Sequence, residues 1–367
     1  MAGKRLAHST PRGAALMAHP VRIGIIGCGS VMQDGYLPIA RDLQARGLAV
    51  LRVVCDSDPG RAALLQLPGQ PAFTTDYRAV LADDAVELVL VLTPPASHAS
   101  IAADALRHGK HVLLEKPMAL SLGEAADLVT LAARSPGFLI VAPHIVLSPT
   151  YQQIGRFLRQ GMIGTVVAAR GLCGHSGPDW SGWYYQAGGG GPLFDLAVYN
   201  VTSLTGWLGP VRRVGAVTGI TAPERRVGDR RVQVSAEDNA MLLLDFGDAT
   251  FASVTSSFAI QQYRDATIEL YGTHGTIRLQ GDDWAPRGID RWLTATGTWE
   301  HLDEPAPEWS YLDGLRHAVS CIRSGSPPMN APEHAYHVLE VLLKAREAGR
   351  TGQMQPIEST VPRLTFE

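Results

Sequence analysis

Residues 21–32 read VRIGIIGCGSVM, and this stretch decides the fold. Its first six residues are almost continuously apolar, which is typical of a parallel strand covered on both faces. Gly27 suits the tight turn after such a strand, and Gly29 allows the backbone to approach a pyrophosphate at the start of the next helix. Met32 stands where the usual pattern has a third small residue, so we expect a looser or repacked contact between helix and strand. The stretch predicts a dinucleotide site at the first strand–helix junction.

The alternation of strands and helices continues to about Pro143. Further strands are predicted at 49–55, 87–92, 110–114 and 138–141. Helices are predicted at 31–46, 60–67, 76–82, 97–108 and 121–134. This order indicates an α/β domain with a parallel sheet and right-handed crossovers.

The pattern changes after Pro143, where Ser148 and Pro149 suit the start of a helix that ends near Gly161. Hairpin spacing predicts an antiparallel sheet from strands at 239–246, 249–257, 267–271 and 276–280. Two final helices are predicted at 311–324 and 332–348, and the arginine-rich segment 221–232 is interpreted as a solvated loop. We therefore predict a disordered tail at 1–20, a cofactor-binding domain at 21–143 and a second domain at 144–367.

Composition narrows the class of protein. The chain has 367 residues, a formal net charge of −3 and four scattered cysteines. This charge gives no indication of nucleic acid or of an anionic membrane surface as a partner. The cysteine spacing argues against a disulfide framework and a metal site, and suits a reducing, cytoplasmic compartment. Because no long apolar run or signal peptide is present, we expect no membrane span.

Asp56 at the end of the second strand bears on the choice of cofactor. A carboxylate there accepts both ribose hydroxyls of NAD and repels the 2′-phosphate of NADP. The alternative is that Asp56 and Asp58 only cap a turn. We expect NAD, with NADP possible.

Three further motifs follow in order: TPPASH at 93–98, EKPMA at 115–119 and GGGPLFDLAVY at 189–199. Together with the glycine turn, they resemble the glucose–fructose oxidoreductase, inositol dehydrogenase and rhizopine-catabolism dehydrogenase family over about residues 21–350. The resemblance implies a Rossmann domain followed by an α+β domain with a large open, mainly antiparallel sheet. It also implies hydride transfer between a nicotinamide and a hydroxyl or keto carbon of a sugar, cyclitol or related polyol.

The resemblance places Lys116 near the nicotinamide and the reacting hydroxyl, and assigns catalytic roles to Asp195 and Tyr199. Such chemistry requires an acid/base and a cation for the developing alkoxide. We expect Lys116 to lower the pKa of Tyr199, and we expect Asp195 and Tyr199 to share one face of a helix because they are four residues apart. Without the family, Tyr199 would be interpreted as core and Asp195 as a helix cap.

Two sets of candidate residues follow. The cofactor-binding set is Gly27, Gly29, Ser30, Val31, Asp56, Thr93, Pro94, His98, Glu115 and Lys116. The substrate-binding set is Lys116, His144, His175, Trp183, Asp195 and Tyr199. The neighbouring aromatic residues 180–185 form either a wall for a sugar ring or a contact with another subunit.

Several departures from the family pattern leave the substrate open: Tyr36 replaces a common His, Val146-Leu147 an Arg-Phe and Ser203 an Asp. Two other functions remain as alternatives, an NAD-retaining glycoside hydrolase and a non-catalytic sugar-sensing regulator. Relatives associate through the open sheet, so a homodimer or homotetramer is expected.

Overall fold

A computed structural model describes residues 19–64, 69–264, 267–364 and 366. Nearly all of the tail predicted at 1–20, and part of the helix predicted at 60–67, lie outside the described residues. In the described part of the chain, no helix has the length and apolar character needed to cross a membrane.

The first sheet is parallel and uses strands from the N-terminal third of the chain. They are β1 Val21–Ile26, β2 Ala49–Cys55, β3 Ala72–Thr74, β4 Leu88–Val91, β5 His111–Leu114 and β6 Leu139–Val141. The helices between them are α1 Leu37–Ala45, α2 Arg61–Leu64, α3 Tyr77–Ala82, α4 His98–Arg107 and α5 Leu122–Ala132. Apart from the short β3, every strand of this sheet was predicted.

The strand order of this sheet is β3-β2-β1-β4-β5-β6 among the described residues. The order reverses between β1 and β4, and in open parallel sheets a ligand binds at such a switch point, outside the carboxyl ends of the strands. The segments that follow β1, β2, β4 and β5 therefore meet at one edge, which we call the cofactor edge. They begin at Gly27, Asp56, Leu92 and Glu115.

The second sheet is mixed but mostly antiparallel, with the order β16-β15-β14-β13-β7-β12-β11-β8-β17 among the described residues. Its strands are β7 Val166–Gly174, β8 Arg213–Gly219, β11 Asn239–Gly247, β12 Thr250–Ser257, β13 Ile268–Gly272, β14 Gly275–Asp282, β15 Ala285–Leu293, β16 Thr298–Asp303 and β17 Gln355–Pro356. Strands β7 and β12 pair in parallel. One face of the sheet is covered by helices, so buried and exposed residues alternate along most of strand β11.

The remaining helices are α6 Pro149–Arg159, α7 Val198–Leu208, α8 Gly314–Ser324 and α9 Pro332–Thr351. Helix α7 is buried along its whole length, because it lies between the second sheet and α9. Helix α8 packs with α1 on one face of the first sheet, where Leu315 and Val319 join the core around Ile25. The C-terminal half thus returns to cover the N-terminal sheet.

The interpretation of 221–232 as a loop was wrong. The segment forms a hairpin of β9 Glu224–Val227 and β10 Arg230–Gln233, with Gly228 in a left-handed conformation at the turn. Arg225 is not a solvated residue of this hairpin, because its guanidinium donates to the fully buried carboxylate of Asp238 at 2.9 Å. The high arginine content of the segment suggested solvent exposure, and the sequence did not show that one of these arginines pairs with a buried carboxylate.

Candidate active site

Gly27 and Gly29 at the cofactor edge serve different purposes. Gly27 has φ +101°, and a Cβ atom there would lie 2.7 Å from the carbonyl carbon and oxygen of Leu92 at the end of β4. A Cβ on Gly29 would have no atom within 4 Å. Gly27 is therefore required by the protein itself, whereas Gly29 faces open space of the kind a pyrophosphate needs.

The first helix begins with a π-helical turn, Val31–Tyr36, before α1. In this wider turn the Leu37 N–H donates to the Met32 carbonyl, and the Met32 side chain is completely buried. The contact at the third fingerprint position is thus repacked, as expected, and it is not loose. Ser30 is exposed and Val31 partly exposed at the start of the turn.

Asp56 holds the glycine turn as well as lying at the cofactor edge. Its Oδ2 accepts from the Cys28 N–H at 2.8 Å, and its Oδ1 accepts from the Asp58 N–H at 3.0 Å. The turn-capping alternative is therefore realised. Each carboxylate oxygen has a second lone pair and Asp56 is partly exposed, so ribose hydroxyls can still bind.

His98 joins two segments of the cofactor edge and does not line it. Its Nδ1 lies 2.7 Å from the Pro117 carbonyl oxygen and its Nε2 lies 2.6 Å from the Thr93 carbonyl oxygen, in a side chain that is 1% exposed. Burial lowers its pKa. The expectation that His98 borders the cofactor is corrected to a supporting role, while Thr93 and Pro94 keep exposed surface.

Lys116 and Asp195 form the centre of the site. The Lys116 ammonium donates to Asp195 Oδ1 at 2.7 Å and to the Asp195 carbonyl oxygen at 3.0 Å. Burial alone would lower the pKa of Lys116, but the adjacent Asp195 carboxylate and nearby Tyr199 and Glu115 outweigh it and raise the pKa above its usual value. Lys116 is therefore a cation that is fixed in place and can stabilise a negative charge that develops beside it.

Tyr199 lies beside this cation, with the Lys116 Nζ atom 5.4 Å from the centre of its ring. The expectation of a lowered pKa was wrong: burial raises the pKa of Tyr199 well above its usual value, and the opposing effect of Lys116 is smaller. Tyr199 is thus a neutral phenol at physiological pH, suited to donating a proton.

The start of α7 differs from the single helix predicted through Asp195 and Tyr199. Leu193–Ala197 forms a π-helical turn, and α7 follows from Val198. Asp195 does not cap the helix, because its carboxylate is used by Lys116.

Arg346 of α9 fixes the glycine run that precedes this turn. Its guanidinium donates to the Gly190 carbonyl at 2.9 Å and to Glu237 at 2.8 Å, and it lies 4.5 Å from the centre of the Phe194 ring. Sequence reasoning missed Arg346 and Glu237, since neither is near the motif in sequence.

A buried chain of polar groups supports Lys116 from behind. The Tyr36 hydroxyl donates to Glu115 Oε1 at 2.8 Å, and Glu115 Oε2 accepts from the Lys116 N–H at 3.2 Å. His144 Nε2 lies 3.4 Å from the same hydroxyl, and its Nδ1 lies 3.1 Å from the Asn330 amide nitrogen.

Two predicted site residues are corrected by this chain. Burial lowers the pKa of His144 to about 3, and its side chain is 0% exposed. His144 therefore does not line the substrate cleft, because Tyr36 and Asn330 enclose it. Glu115 faces Tyr36 rather than open space and acts through the backbone of Lys116.

The aromatic segment 180–185, predicted as a substrate wall or a subunit contact, is partly exposed and partly core. Trp183 stacks on Tyr184 at 3.8 Å between ring centres, and both are partly exposed. Tyr185 is core instead, with its hydroxyl donating to the Pro178 carbonyl at 2.9 Å. His175 is partly exposed, accepts from the Gly177 N–H at 2.9 Å, and lies close enough to Asp195 and Lys116 for their charges to affect its pKa.

Comparison with known proteins agrees with this geometry. The family model described as an oxidoreductase family with an NAD-binding Rossmann fold matches residues 21–142, and the model of the GFO/IDH/MocA C-terminal domain matches residues 151–278. The chain belongs to the GFO/IDH/MocA family. It is therefore an NAD-dependent oxidoreductase, with its cofactor domain at the N-terminus.

Within the family, D-apiose dehydrogenase of Paraburkholderia graminis is 28% identical, over 93% of this chain and 92% of that protein. The dTDP-3,4-didehydro-2,6-dideoxy-alpha-D-glucose 3-reductase of Actinomadura kijaniata is 32% identical over 71% of this chain and 74% of that protein. The solved structure of GenD2 from gentamicin A biosynthesis, in complex with NAD, has a TM-score of 0.77 and 27% identity over 96% of this chain and 100% of that one.

Proposed function

We propose that this chain is a dehydrogenase or ketoreductase that interconverts a hydroxyl and a keto group on a sugar, cyclitol or related polyol. The observation that carries the proposal is the Lys116–Asp195 contact of 2.7 Å with the Tyr199 ring beside it. Named relatives support the substrate class, since they include D-apiose dehydrogenase and a deoxysugar 3-reductase.

The three central side chains divide the chemistry. NAD supplies the hydride acceptor, and in its reduced form the donor. Lys116 binds the reacting oxygen and stabilises negative charge on it. Tyr199 exchanges the proton with that oxygen, and Asp195 keeps Lys116 charged and oriented.

The cofactor is assigned to residues 21–143. The pyrophosphate is expected beside Gly29, Ser30 and Val31, and the ribose hydroxyls at Asp56. Because Asp56 already holds the Cys28 N–H, a 2′-phosphate would face a carboxylate fixed in place. We infer a preference for NAD over NADP.

The substrate is assigned to the side of the cleft formed by residues 144–367. Trp183 and Tyr184 offer aromatic faces to the C–H face of a sugar ring. His175 offers a ring nitrogen to a hydroxyl.

One experiment tests the proposed function. The wild-type protein is mixed with NAD and each member of a panel of aldoses, inositols, polyols and nucleotide sugars, and NADH is measured. Net reduction of NAD with at least one member is expected. Hydrolysis of a glycoside without net NADH, or binding without any turnover, would contradict the proposal.

The outward face of the second sheet supports an assembly of two or four copies. Met241, Leu243 and Phe251 are each about half exposed on this face, and Met241 pairs with the exposed Val217 on the neighbouring strand. An apolar face of this kind is costly in a soluble monomer.

Light scattering tests the assembly. We expect a dimeric or tetrameric mass for the wild type and a smaller mass for Leu243→Glu. Met329→Glu is the matched control, because Met329 is an exposed apolar residue in the segment between α8 and α9, outside the second sheet. A monomeric wild type would contradict the proposal.

A further inference from the structure

The two-residue turn between β14 and β15 contacts helix α7, which carries Tyr199. The turn belongs to none of the sequence motifs described above. Asp282 pairs with Ala285, so Asp283 and Trp284 form the tip of the hairpin. The Trp284 ring meets the Tyr199 ring edge-on, at 5.2 Å between centres and 61° between planes. Trp284 is partly exposed, whereas Tyr199 is 8% exposed, so the tryptophan has free surface next to the proton donor.

Asp283 anchors the turn to the same helix. Its Oδ2 accepts from the Asn200 amide nitrogen at 2.9 Å, and both residues are almost completely buried. Asn200 follows Tyr199 in sequence, so two adjacent residues of the turn contact two adjacent residues of α7. This two-point contact fixes the distance between the Trp284 ring and the Tyr199 hydroxyl.

The protonation of Asp283 suits such an anchor. Burial raises the pKa of its carboxyl to about 7. Asn200 lowers that pKa by donating a hydrogen bond. The side chain therefore needs to act only as a hydrogen-bond acceptor, and a neutral acceptor would serve equally well.

A third aromatic ring completes the surroundings of Tyr199. Tyr311 lies 6.4 Å from it, edge-on, and is also partly exposed. Tyr199 thus contacts aromatic rings from two segments remote in sequence, with the Lys116 ammonium over its own ring.

We propose that the Asp283–Trp284 turn determines substrate specificity: Trp284 is the platform for the apolar face of the substrate ring, and Asp283 is a positioning residue that holds the platform against α7. Aromatic faces pack on the C–H faces of sugars and cyclitols through apolar contact. A ring seated on Trp284 places its carbinol beside Tyr199. The inference rests on the proposed function, because it requires a substrate with such a face.

The test compares KM and kcat of turn variants on the best substrate of the wild type. Trp284→Leu is expected to raise KM about tenfold, with kcat little changed, since it removes packing that ground state and transition state share. NADH affinity, measured by fluorescence, is expected to stay constant. Phe138→Leu is the control, because Phe138 is a partly buried aromatic residue that precedes β6, at the opposite edge of the first sheet.

Asp283 variants test the anchor separately. Asp283→Leu loses the acceptor for Asn200 and is expected to lower kcat as well as raise KM, because the platform moves relative to Tyr199. Asp283→Asn keeps an acceptor and is expected to restore both constants. A structural role alone would lower Tm in Asp283→Leu without this pattern in KM and kcat.

Trp284→Phe keeps an aromatic ring against Tyr199. It provides a second test that does not depend on correct folding of Trp284→Leu. In the wild type, substrate is expected to change tryptophan fluorescence, and in this variant that change is expected to fall. If the wild type is active and both Trp284 variants keep its KM, the inference fails while the proposed function stands. If the wild type turns over no member of the panel, the proposed function fails and the inference fails with it.

Discussion

The two sides of the cleft are built from different kinds of contact. At the cofactor edge, the contacts involve backbone atoms: Gly27 lies against the backbone at the end of β4, and the Cys28 N–H donates to the Asp56 carboxylate. On the substrate side, side chains from widely separated segments meet, as when Lys116 reaches Asp195 and Trp284 reaches Tyr199. The first side is marked by short sequence motifs at the ends of parallel strands, whereas the second depends on how the two sheets pack.

The largest expected effect lies where the two sides meet. Lys116→Met removes the cation that we propose stabilises the alkoxide, so kcat should fall by roughly 10²–10³, the usual loss when one such electrostatic contact is removed. Steady-state kinetics measures this loss. Lys344→Met, which breaks an exposed pair with Glu347, should leave kcat unchanged.

A double variant separates catalysis from stability at the same position. Lys116→Met leaves the mostly buried Asp195 carboxylate without its cation, so Tm should also fall. Adding Asp195→Asn should recover Tm but not kcat. Recovery of kcat in the double variant would mean that Lys116 serves only to neutralise Asp195.

The glycine pair at the cofactor edge provides the next largest effect. Gly27→Ala places a Cβ against the backbone of Leu92 at positive φ, which should cost about 1–3 kcal/mol of unfolding free energy. Gly29→Ala meets no protein atom, so Tm should be unchanged while NADH affinity falls. Thermal denaturation and NADH titration of both variants test these two expectations. The same changes in Tm and in NADH affinity for both variants would contradict the distinction between the two glycines.

The smallest expected effect concerns cofactor choice. Asp56→Asn keeps one of the two hydrogen-bond acceptors that hold the turn and removes the negative charge. The ratio of kcat/KM for NAD to that for NADP should therefore fall about tenfold, or about 1.4 kcal/mol. An unchanged ratio would leave Asp56 as a turn cap alone.

The cofactor edge was predictable from sequence because short motifs and regular apolar runs mark the elements that form it. Strands β1 and β2 were predicted at their observed bounds, and α5, predicted from residue 121, begins with a capping box of Ser121 and Glu124. Local periodicity and capping chemistry suffice for such elements. The three-residue β3 was missed because its exposed and partly buried residues give no apolar run.

The substrate side was predictable only where motifs mark it. Lys116, Asp195 and Tyr199 were found through the family resemblance, but the pKa of Tyr199 was predicted in the wrong direction because sequence does not give burial. Trp284 and Arg346 carry no motif, and their roles arise from contacts across more than 80 residues of sequence. Long-range packing of this kind has no local signature.

The central claim is that Tyr199 is the proton-exchanging group beside a permanently charged Lys116. The most direct measurement is the pH dependence of single-turnover carbinol oxidation in the wild type and in Tyr199→Phe. Because burial raises the pKa of Tyr199, the wild-type rate should keep rising to at least about pH 10. Tyr199→Phe should be slower by roughly 10²–10⁴ and should lose that rise. A wild-type plateau near neutral pH, or a phenylalanine variant as fast as the wild type, would contradict the account.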